Sequence, residues 1–518
     1  MQHPIGSHFL RDESGAVAAT YAMALTALIV IAGVGFDYGR LATMDSELQN
    51  GADQAALAGA TQLDGKTGAC SRAATAAVSL VTNTTILAND ASTITVASET
   101  ACDATGTVRF WQNKDGTTAA TSDANARFIE LTVAARTVDY AFTPIANLLQ
   151  GSVSAGAMAG LGSSICKVPP VFMCNPNEGG DPNFTISNYV GRGIRLVAND
   201  GGGNYGAGNF GYLQTNAGNG ASAISDALGK TNVPGDCIAA DGVTTKPGAN
   251  VSVLDALNTR FDIYTGNTTS PCGANGQGCP PSANTRKDVV HKGNANQCSY
   301  STGGGNGWAM SANPYLPTSA STPLTNAQAD ALSPMGYPRD MCHAISATGS
   351  CGGGIVGDGL WDRNAYFRSN TANYATGFDI TATFGTATPT RHQVYRYEAA
   401  NAGSRLLTQS AGGGATSRPA PYCTTPGIPV GTTAIDRRVL TVAIINCGAG
   451  LNGSSGPHSP KAWVDVFLPE PSVRRRVGTT TYTEASDLYV EVIGPSQLAG
   501  AGSTAAQLIR RDVPYLVR

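Results

Sequence analysis

The sequence has few charged side chains and no basic region of domain size. Charged residues make up 13% of the chain, against roughly 25% in an average globular protein. The net charge is -3, whereas proteins that track nucleic-acid phosphates usually carry a basic stripe. The dense basic run Arg474–Arg476 is interpreted as a solvated turn before a strand, with a surface for an acidic partner as the alternative. The sequence therefore predicts no nucleic-acid partner.

The common spacings of metal, redox and hydrolase sites are also missing. No C-x-x-C, H-x-x-x-H, H-E-x-x-H or G-x-S-x-G motif occurs, which argues against zinc sites, thioredoxin-like sites and serine hydrolases. Gly206–Gly211 matches G-x-G-x-x-G, but no helix pattern follows to present amides to a phosphate, so a loop is predicted. Cys342 and His343 are adjacent, and adjacent side chains seldom face one another as nucleophile and base. Turns are expected at Asn199–Gly201 and Asp358-Gly359 rather than calcium sites. We expect no catalytic residue, no metal and no cofactor.

The chain does have twelve cysteines, an even number, and all lie at residue 70 or beyond. With zinc and redox spacings absent, disulfides are the expected use, and free buried thiols are the alternative. Disulfides persist in oxidising compartments, so up to six are expected, with the connectivity open. The candidate disulfide cysteines are Cys70, Cys102, Cys166, Cys174, Cys237, Cys272, Cys279, Cys298, Cys342, Cys351, Cys423 and Cys447. The pairs near in sequence are Cys70–Cys102, Cys166–Cys174, Cys272–Cys279 and Cys423–Cys447.

An apolar segment, Ala16–Phe36, carries no charged residue over 21 positions. As a helix it spans roughly the 30 Å hydrocarbon core of a bilayer. A cleaved secretory signal is the alternative, but its apolar core is normally about 7–15 residues with a small-x-small exit. We predict a transmembrane helix. Because every cysteine follows it, residues 1–15 are expected in the cytoplasm and the C-terminal side in the periplasm.

The helix is expected to continue as an amphipathic stalk to about residue 63. Apolar side chains recur at intervals of three and four residues, which is the helical period. This stalk packing face consists of Leu41, Met44, Leu48, Ala52 and Ala55. It is expected to pack either onto its own domain or against neighbouring subunits, as in pilins.

Four features occur in a fixed order near the N-terminus: residues 9–18 (FLRDESGAVA), the apolar span, residues 35–40 (GFDYGR) and residues 48–58 (LQNGADQAALA). Together they resemble the N-terminal module of TadE/TadG-like Flp (Tad) pilus-assembly proteins over about residues 8–62. Val153–Cys174 is also similar to the continuation in TadG-related proteins. The resemblance implies a pilus-assembly role, with the inner membrane and other Tad pilus-assembly proteins or pilin-like subunits as partners.

Two family sites differ in this sequence. A prepilin peptidase cuts after a glycine with Glu at the fifth position beyond; the corresponding junction is Gly15-Ala16, and the fifth position is Thr20. We therefore expect an uncut anchor. Some TadG proteins carry a von Willebrand A domain with a D-x-S-x-S metal site, and no D-x-S-x-S occurs here.

The exported part is expected to be α+β and mainly β. The sequence predicts the stalk helix and a small pilin-like α+β unit over residues 37–165. It predicts a Gly/Asn-rich, disulfide-bonded β-rich domain with long Gly-rich loops over residues 166–518. Val439–Ile445, Trp463–Leu468 and Leu488–Ile493 are the strongest strand patterns. The sequence thus predicts a non-enzymatic structural component of a Tad pilus system. The alternatives are a membrane-anchored surface adhesin or binding module, and a tethered hydrolase.

Overall fold

The described part of the chain begins at Ser14 and is given by a computed structural model. It comprises residues 14–64, 66–79, 84–90, 93–97, 99–123, 125–142, 150–166, 171–198, 205–214, 220–231, 238–239, 242–246, 251–264, 272, 278–293, 297–316, 322–343, 351, 354–430, 436–448, 451, 456–496 and 509–517. Within these residues the chain divides into two units, residues 1–162 with 512–518, and residues 163–511.

The helices are α1 (Ser14–Ala60), α2 (Ala69–Ser79), α3 (Ala221–Gly229), α4 (Asp255–Asn258), α5 (Asn326–Asp330), α6 (Arg363–Ser369), α7 (Ile380–Phe384), α8 (Arg391–Ala400) and α9 (Ala402–Arg405). The strands before residue 300 are β1 (Val108–Trp111), β2 (Phe128–Thr132), β3 (Arg136–Asp139), β4 (Gln150–Val153), β5 (Gly156–Cys166), β6 (Val171–Cys174), β7 (Gly193–Ala198), β8 (Asn209–Tyr212), β9 (Ile238–Ala239) and β10 (Val289–Lys292). The later strands are β11 (Gly307–Met310), β12 (Gln409–Ser410), β13 (Thr416–Ser417), β14 (Val439–Ile445), β15 (Ala462–Phe467), β16 (Arg475–Val477), β17 (Thr480–Thr483), β18 (Asp487–Pro495) and β19 (Ile509–Leu516). The expected order, a long apolar helix followed by a mostly β region with paired cysteines, is confirmed.

The first unit packs two helices against a sheet. Strands β1, β2, β5 and β19 follow one another in that sheet, and β2 is antiparallel to both β1 and β5. The C-terminal half of α1 and the alanine-rich α2 cover one face, and small side chains let the layers approach closely. A Cβ on Gly59, for example, would lie 2.6 Å from the Ile129 Cδ1 and 3.1 Å from the Ala73 carbonyl oxygen. A separate hairpin, β3–β4, pairs Asp139 with Gln150 at its turn end.

The domain prediction assigned residues 166–518 to the second domain, and the structure corrects its C-terminal end. Residues 512–518 belong to the first unit, because β19 extends that unit's sheet. The Val517 amide donates to the Met158 carbonyl at 2.7 Å. Pairing with β19 satisfies the backbone groups of β5, which would otherwise form an open sheet edge.

The second unit is built on a closed six-stranded barrel whose strands follow the order β14, β15, β18, β7, β8 and β6. The pairs β7–β8 and β6–β14 are parallel, and the other four are antiparallel. The three strongest strand patterns became β14, β15 and β18, and β14 has the predicted bounds Val439–Ile445. Every residue of β14 is buried, as expected for an apolar, β-branched run inside a barrel wall.

Helices α6 to α9 form a second layer with an aromatic core of Trp361, Tyr366, Phe367, Tyr374 and Tyr395. Charged side chains lie inside this layer. Glu398 of α8 is fully buried, and Arg391 of α8 bonds the barrel residue Glu491 at 2.8 Å and also bonds Asp340. Sequence patterns did not predict these helices.

The ten cysteines described with their side chains all form disulfides. The pairs are Cys70–Cys102, Cys174–Cys447, Cys272–Cys279, Cys298–Cys423 and Cys342–Cys351. Two of them match the sequence-near candidates Cys70–Cys102 and Cys272–Cys279. The candidate pairs Cys166–Cys174 and Cys423–Cys447 are wrong, because β6 and β14 lie side by side and bring Cys174 to Cys447. The Cys166 side chain and Cys237 lie outside the described residues.

Candidate functional site: the apolar helix and its junction

The apolar half of α1 is exposed along almost its whole length. The stretch from Val17 is long and apolar enough to cross a membrane. Large apolar side chains stand free there, including Tyr21, which is 73% exposed, and Ile31, which is 68% exposed. Water is a poor environment for so much contiguous apolar surface. Only a bilayer or other apolar helices would suit it.

The stalk packing face lies inside the first unit. Met44, Leu48, Ala52 and Ala55 are each 0% exposed, and Leu41 packs at the edge of the same core. This agrees with the first alternative from the sequence, in which the stalk packs onto its own domain. The face is not available to a neighbouring subunit.

The apolar half of α1 and the stalk meet at a group of hydrogen bonds between α1 and the end of β3. Asp37 is 2% exposed, and its carboxylate accepts the backbone amides of Ala141 at 2.7 Å and Phe142 at 2.9 Å. One helical turn further, the Arg40 Nη1 donates to the Asp139 carbonyl at 3.0 Å. We call Asp37 and Arg40, with residues 139–142, the junction. It fixes the end of β3 against α1 at the point where the apolar stretch ends.

The junction also has an aromatic part. A Cβ on Gly33 would overlap the Phe142 Cβ, so the glycine leaves the space that the Phe142 side chain occupies. The Phe142 ring meets the Phe36 ring edge to face, with centroids 5.6 Å apart. Phe142 remains 45% exposed and Phe36 55% exposed. Sequence analysis missed this contact; the available signals were Gly33 and the charge-free stretch that begins at Tyr140.

The predicted prepilin-peptidase-like cleavage site, Gly15-Ala16, lies in helical backbone. Helix α1 begins at Ser14, which places the Gly15-Ala16 peptide bond in its first turn. The side chains of these two residues lie outside the described part. Cleavage at this bond, like the expected uncut anchor, stays a prediction.

Cys342 and His343, considered in the sequence as a nucleophile and base, both have structural roles. Cys342 is bonded to Cys351, so it has no thiol to act as a nucleophile. His343 is fully buried, with Nδ1 3.1 Å from the Tyr489 hydroxyl and Nε2 3.2 Å from the Gly354 carbonyl oxygen. Burial lowers the pKa of His343 to about 4. This arrangement is that of a neutral core histidine.

Two groups of potential metal ligands in the described residues have structural uses. In the group of Cys342, His343 and Cys351, both sulfurs are in a disulfide. In the other group Cys70 is bonded to Cys102, and Asp123 accepts the amides of Gly68 and Cys70 at 2.8 and 2.9 Å. Those hydrogen bonds lower the pKa of Asp123 and satisfy free donors at the start of α2.

Two motifs discounted in the sequence are turns in the structure. In Gly206–Gly211 a turn leads into β8 rather than into a helix, as predicted. At Asp358-Gly359 the carboxylate accepts the Leu360 amide at 2.9 Å, and Gly359 has φ +79°, which is the expected turn geometry. Asn199–Gly201 lies outside the described residues.

The second unit has a cavity of about 50 Å³, which is room for a few water molecules. Two ion pairs line it, Arg339–Glu470 with a shortest N–O distance of 2.6 Å and Arg475–Asp288 at 2.5 Å. Burial would raise the pKa of Asp288, but Arg475 outweighs it and lowers that pKa. The four charges balance, so the cavity offers no net charge to an ionic ligand.

Residues 15–62 match the model of a protein family described as "Putative Flp pilus-assembly TadE/G-like". This confirms the resemblance found in the sequence and indicates a pilus-assembly role. The matched span runs from the first turn of α1 through the junction residues Asp37 and Arg40 to the end of the stalk. The further resemblance at Val153–Cys174 stays a prediction. A search of curated proteins and a search of solved structures each found no match.

Proposed function

We propose that this chain is a membrane-anchored, non-enzymatic component of a Tad (Flp) pilus system. Its N-terminal side lies in the cytoplasm and both folded units lie on the periplasmic side of the inner membrane. The observation that carries the proposal is the apolar stretch of α1, exposed over almost its whole length, inside the matched span, residues 15–62.

The length of the apolar stretch supports the anchor. Residues 16–36 contain no charge, and 21 helical residues cover about 31 Å, close to the hydrocarbon thickness of a bilayer. All backbone amides and carbonyls there are able to pair within the helix, which lipid requires. The first acidic residue after the stretch, Asp37, is buried at the junction, so the change from apolar to polar surroundings is abrupt.

The disulfides support the orientation. Those described occur in both units, and every cysteine of the chain follows the apolar stretch. Disulfides form and persist in the periplasm and are rare in the cytosol. The folded units therefore belong on the oxidising side, and the residues before α1 belong on the other.

The role of the protein is physical. The stalk face is used inside the first unit, so contacts with pilus partners in the membrane are left to the exposed side chains between Val17 and Phe36. The disulfide-bonded barrel unit supplies a durable surface outside the membrane. Pilin-like subunits or other assembly proteins with apolar helices are the partners that this arrangement suits.

Cell fractionation with and without mechanical shear tests the proposal, combined with mass spectrometry of the N-terminus and of non-reduced peptides. We expect an intact N-terminus ahead of Ala16, recovery with the inner membrane, and non-reduced peptides joining Cys174 to Cys447. Recovery in the soluble cytoplasmic fraction with free thiols would refute the proposal.

Two other results would revise the proposed role. A chain that begins at Ala16 in sheared filaments would make the protein a pilin-like subunit and the uncut anchor wrong. Saturable binding of the exported region to glycans or host proteins would favour the adhesin alternative.

A further inference from the structure

The turn end of the hairpin β3–β4 lies beside the apolar half of α1. Its last pair is Asp139 with Gln150, so residues 140–149 connect the two strands at that end. This connection contains no Asp, Glu, Lys, Arg or His, although a loop that faces water is usually polar. Its described part, residues 140–142, runs alongside α1 at the junction.

The junction sets the depth of Phe142. Gly33 precedes Asp37 by four residues, which is about 6 Å along a helix axis. The Phe142 Cβ lies against Gly33, so Phe142 stands beside the last turn of the apolar stretch and not beyond it. The two hydrogen bonds to Asp37, at 2.7 and 2.9 Å, hold the backbone there.

Three aromatic side chains are exposed at this level. Phe36 is 55% exposed, Phe142 45% and Tyr38 71%. Tyrosine, which has an apolar ring and a polar tip, is enriched where acyl chains meet headgroups. Tyr38 lies about 200° around α1 from Phe36, so it marks this level on the other side of the helix. Two half-exposed phenyl rings continuous with an apolar helix would be unfavourable in water.

We propose that Phe36 and Phe142 form a lipid-contact surface through which the first unit rests on the outer leaflet of the membrane. The occupant is the bilayer, because the surface is continuous with the apolar stretch and the connection after it is free of charge. The hairpin then gives the unit a second contact with lipid besides α1, which fixes its height and tilt. This inference rests on the proposed membrane anchoring.

Depth-dependent quenching in liposomes tests it on the full chain. The variants Val30→Cys, Phe142→Cys and Ile86→Cys would each carry an environment-sensitive fluorophore on the new cysteine, in vesicles of phosphatidylethanolamine and phosphatidylglycerol. A nitroxide on the lipid, either near the glycerol or deep in the acyl chain, is the quencher. The parent chain without an added cysteine gives the background labelling.

Ile86 is the matched control. It is apolar and 85% exposed, and its amide bonds the Glu47 carboxylate at 3.1 Å. Glu47 follows Phe36 by eleven residues, about 16 Å along the helix. The Ile86 probe should therefore stay in water while the others are in lipid.

We expect the Phe142 probe to lose most of its emission with the shallow nitroxide, the Val30 probe with the deep one, and the Ile86 probe with neither. In the Asp37→Ala background the quenching at Phe142 should fall. Val30 quenched with Phe142 unchanged would overturn the lipid contact but keep the anchor. If neither is quenched, the anchoring fails as well. Quenching of Ile86, or self-quenching at Phe142 that rises with protein density, would also overturn the proposal, since it would mean a flat-lying unit or a contact with another copy.

Discussion

Substitution of Glu398 should lower the stability of the second unit strongly. Its Oε2 accepts from the Tyr337 hydroxyl at 2.6 Å, the Arg286 Nε at 3.0 Å and the Asn284 amide at 3.1 Å. Its Oε1 accepts from two further tyrosine hydroxyls, those of Tyr366 and Tyr374. Burial lowers the pKa of Arg286, but the charge of Glu398 and the nearby tyrosines outweigh it, so the pKa is raised. The guanidinium therefore stays charged.

The substitution Glu398→Gln removes the negative charge that balances Arg286. It also places an NH2 group among donors such as the Arg286 guanidinium and the Asn284 amide. Breaking a buried ion pair by removing one partner costs about 3–5 kcal/mol, a large share of the roughly 5–15 kcal/mol that stabilises a typical protein. Urea denaturation of the detergent-solubilised, non-reduced chain measures this. Tryptophan fluorescence responds in part to this region, because one of the four tryptophans, Trp361, has its ring centroid 5.6 Å from that of Tyr366.

Asp330→Asn is the control for Glu398→Gln. Asp330 pairs with Arg368 at the surface, where the carboxylate is 48% exposed, and such pairs contribute about 0–1 kcal/mol. We expect a large fall in the urea midpoint for Glu398→Gln and almost none for Asp330→Asn. Equal effects of the two substitutions would refute the view that the buried charge network holds α8 in place.

Three further predictions concern pH, the junction and the disulfides. Burial lowers the pKa of His343 to about 4 in the folded chain, against 6.5 ordinarily. Between these pH values the unfolded chain binds more protons than the folded chain. This histidine should therefore not reduce the free energy of unfolding above pH 6.5, and should reduce it by up to about 3 kcal/mol as the pH falls to 4. Urea midpoints across pH should show this reduction; burial also lowers the pKa of His392 to about 4, so His343→Gln should remove roughly half of the combined effect of the two histidines. Asp37→Ala removes two hydrogen bonds to a charged acceptor, each of about 2 kcal/mol, so amide hydrogen exchange at residues 141 and 142 should become much faster, whereas Asp37→Asn should keep part of the protection. Replacing Cys174 and Cys447, which close a loop with a separation of 273 residues, by alanine should lower stability by about 5 kcal/mol, against about 2 kcal/mol for Cys272 and Cys279 with a separation of 7, as paired calorimetric scans would show.

The barrel strands were predictable because their sequence shows their environment. Val439–Ile445 is a run of apolar and β-branched residues, and a strand buried on both faces needs that composition. The stalk was predictable for the same reason, since its buried side chains recur with the helical period. In both cases the side chains that pack are the apolar ones.

Helix α8 was not predictable because it buries charge. Its sequence is polar, and its inward side chains include Arg391 and Glu398, both 0% exposed. Hydropathy patterns read such residues as facing water. Only the partners, Asp340 and Glu491 for Arg391, make the burial tolerable, and they come from distant parts of the chain.

The disulfide between Cys174 and Cys447 and the junction were also not predictable, because each joins residues that only the folded chain brings together. Cys174 meets Cys447 only because β6 and β14 complete the barrel. Asp37 meets Phe142 across a sequence separation of 105 residues. The sequence shows that a charge ends the apolar stretch, and it does not show what that charge holds.

The outward side of the stalk bears on the choice between a filament subunit and a fixed assembly component. A filament built on stalk-to-stalk packing needs apolar side chains on the free face of α1 beyond the membrane. The exposed positions there include Asp45, Ser46 and Asn50, which suit water, while the apolar positions are consumed inside the first unit. Within the described part of α1, the large exposed apolar side chains lie between Val17 and Tyr38. That distribution argues against packing of neighbouring chains through their stalks, and it leaves the apolar stretch as the part of α1 that lipid or a partner helix would cover.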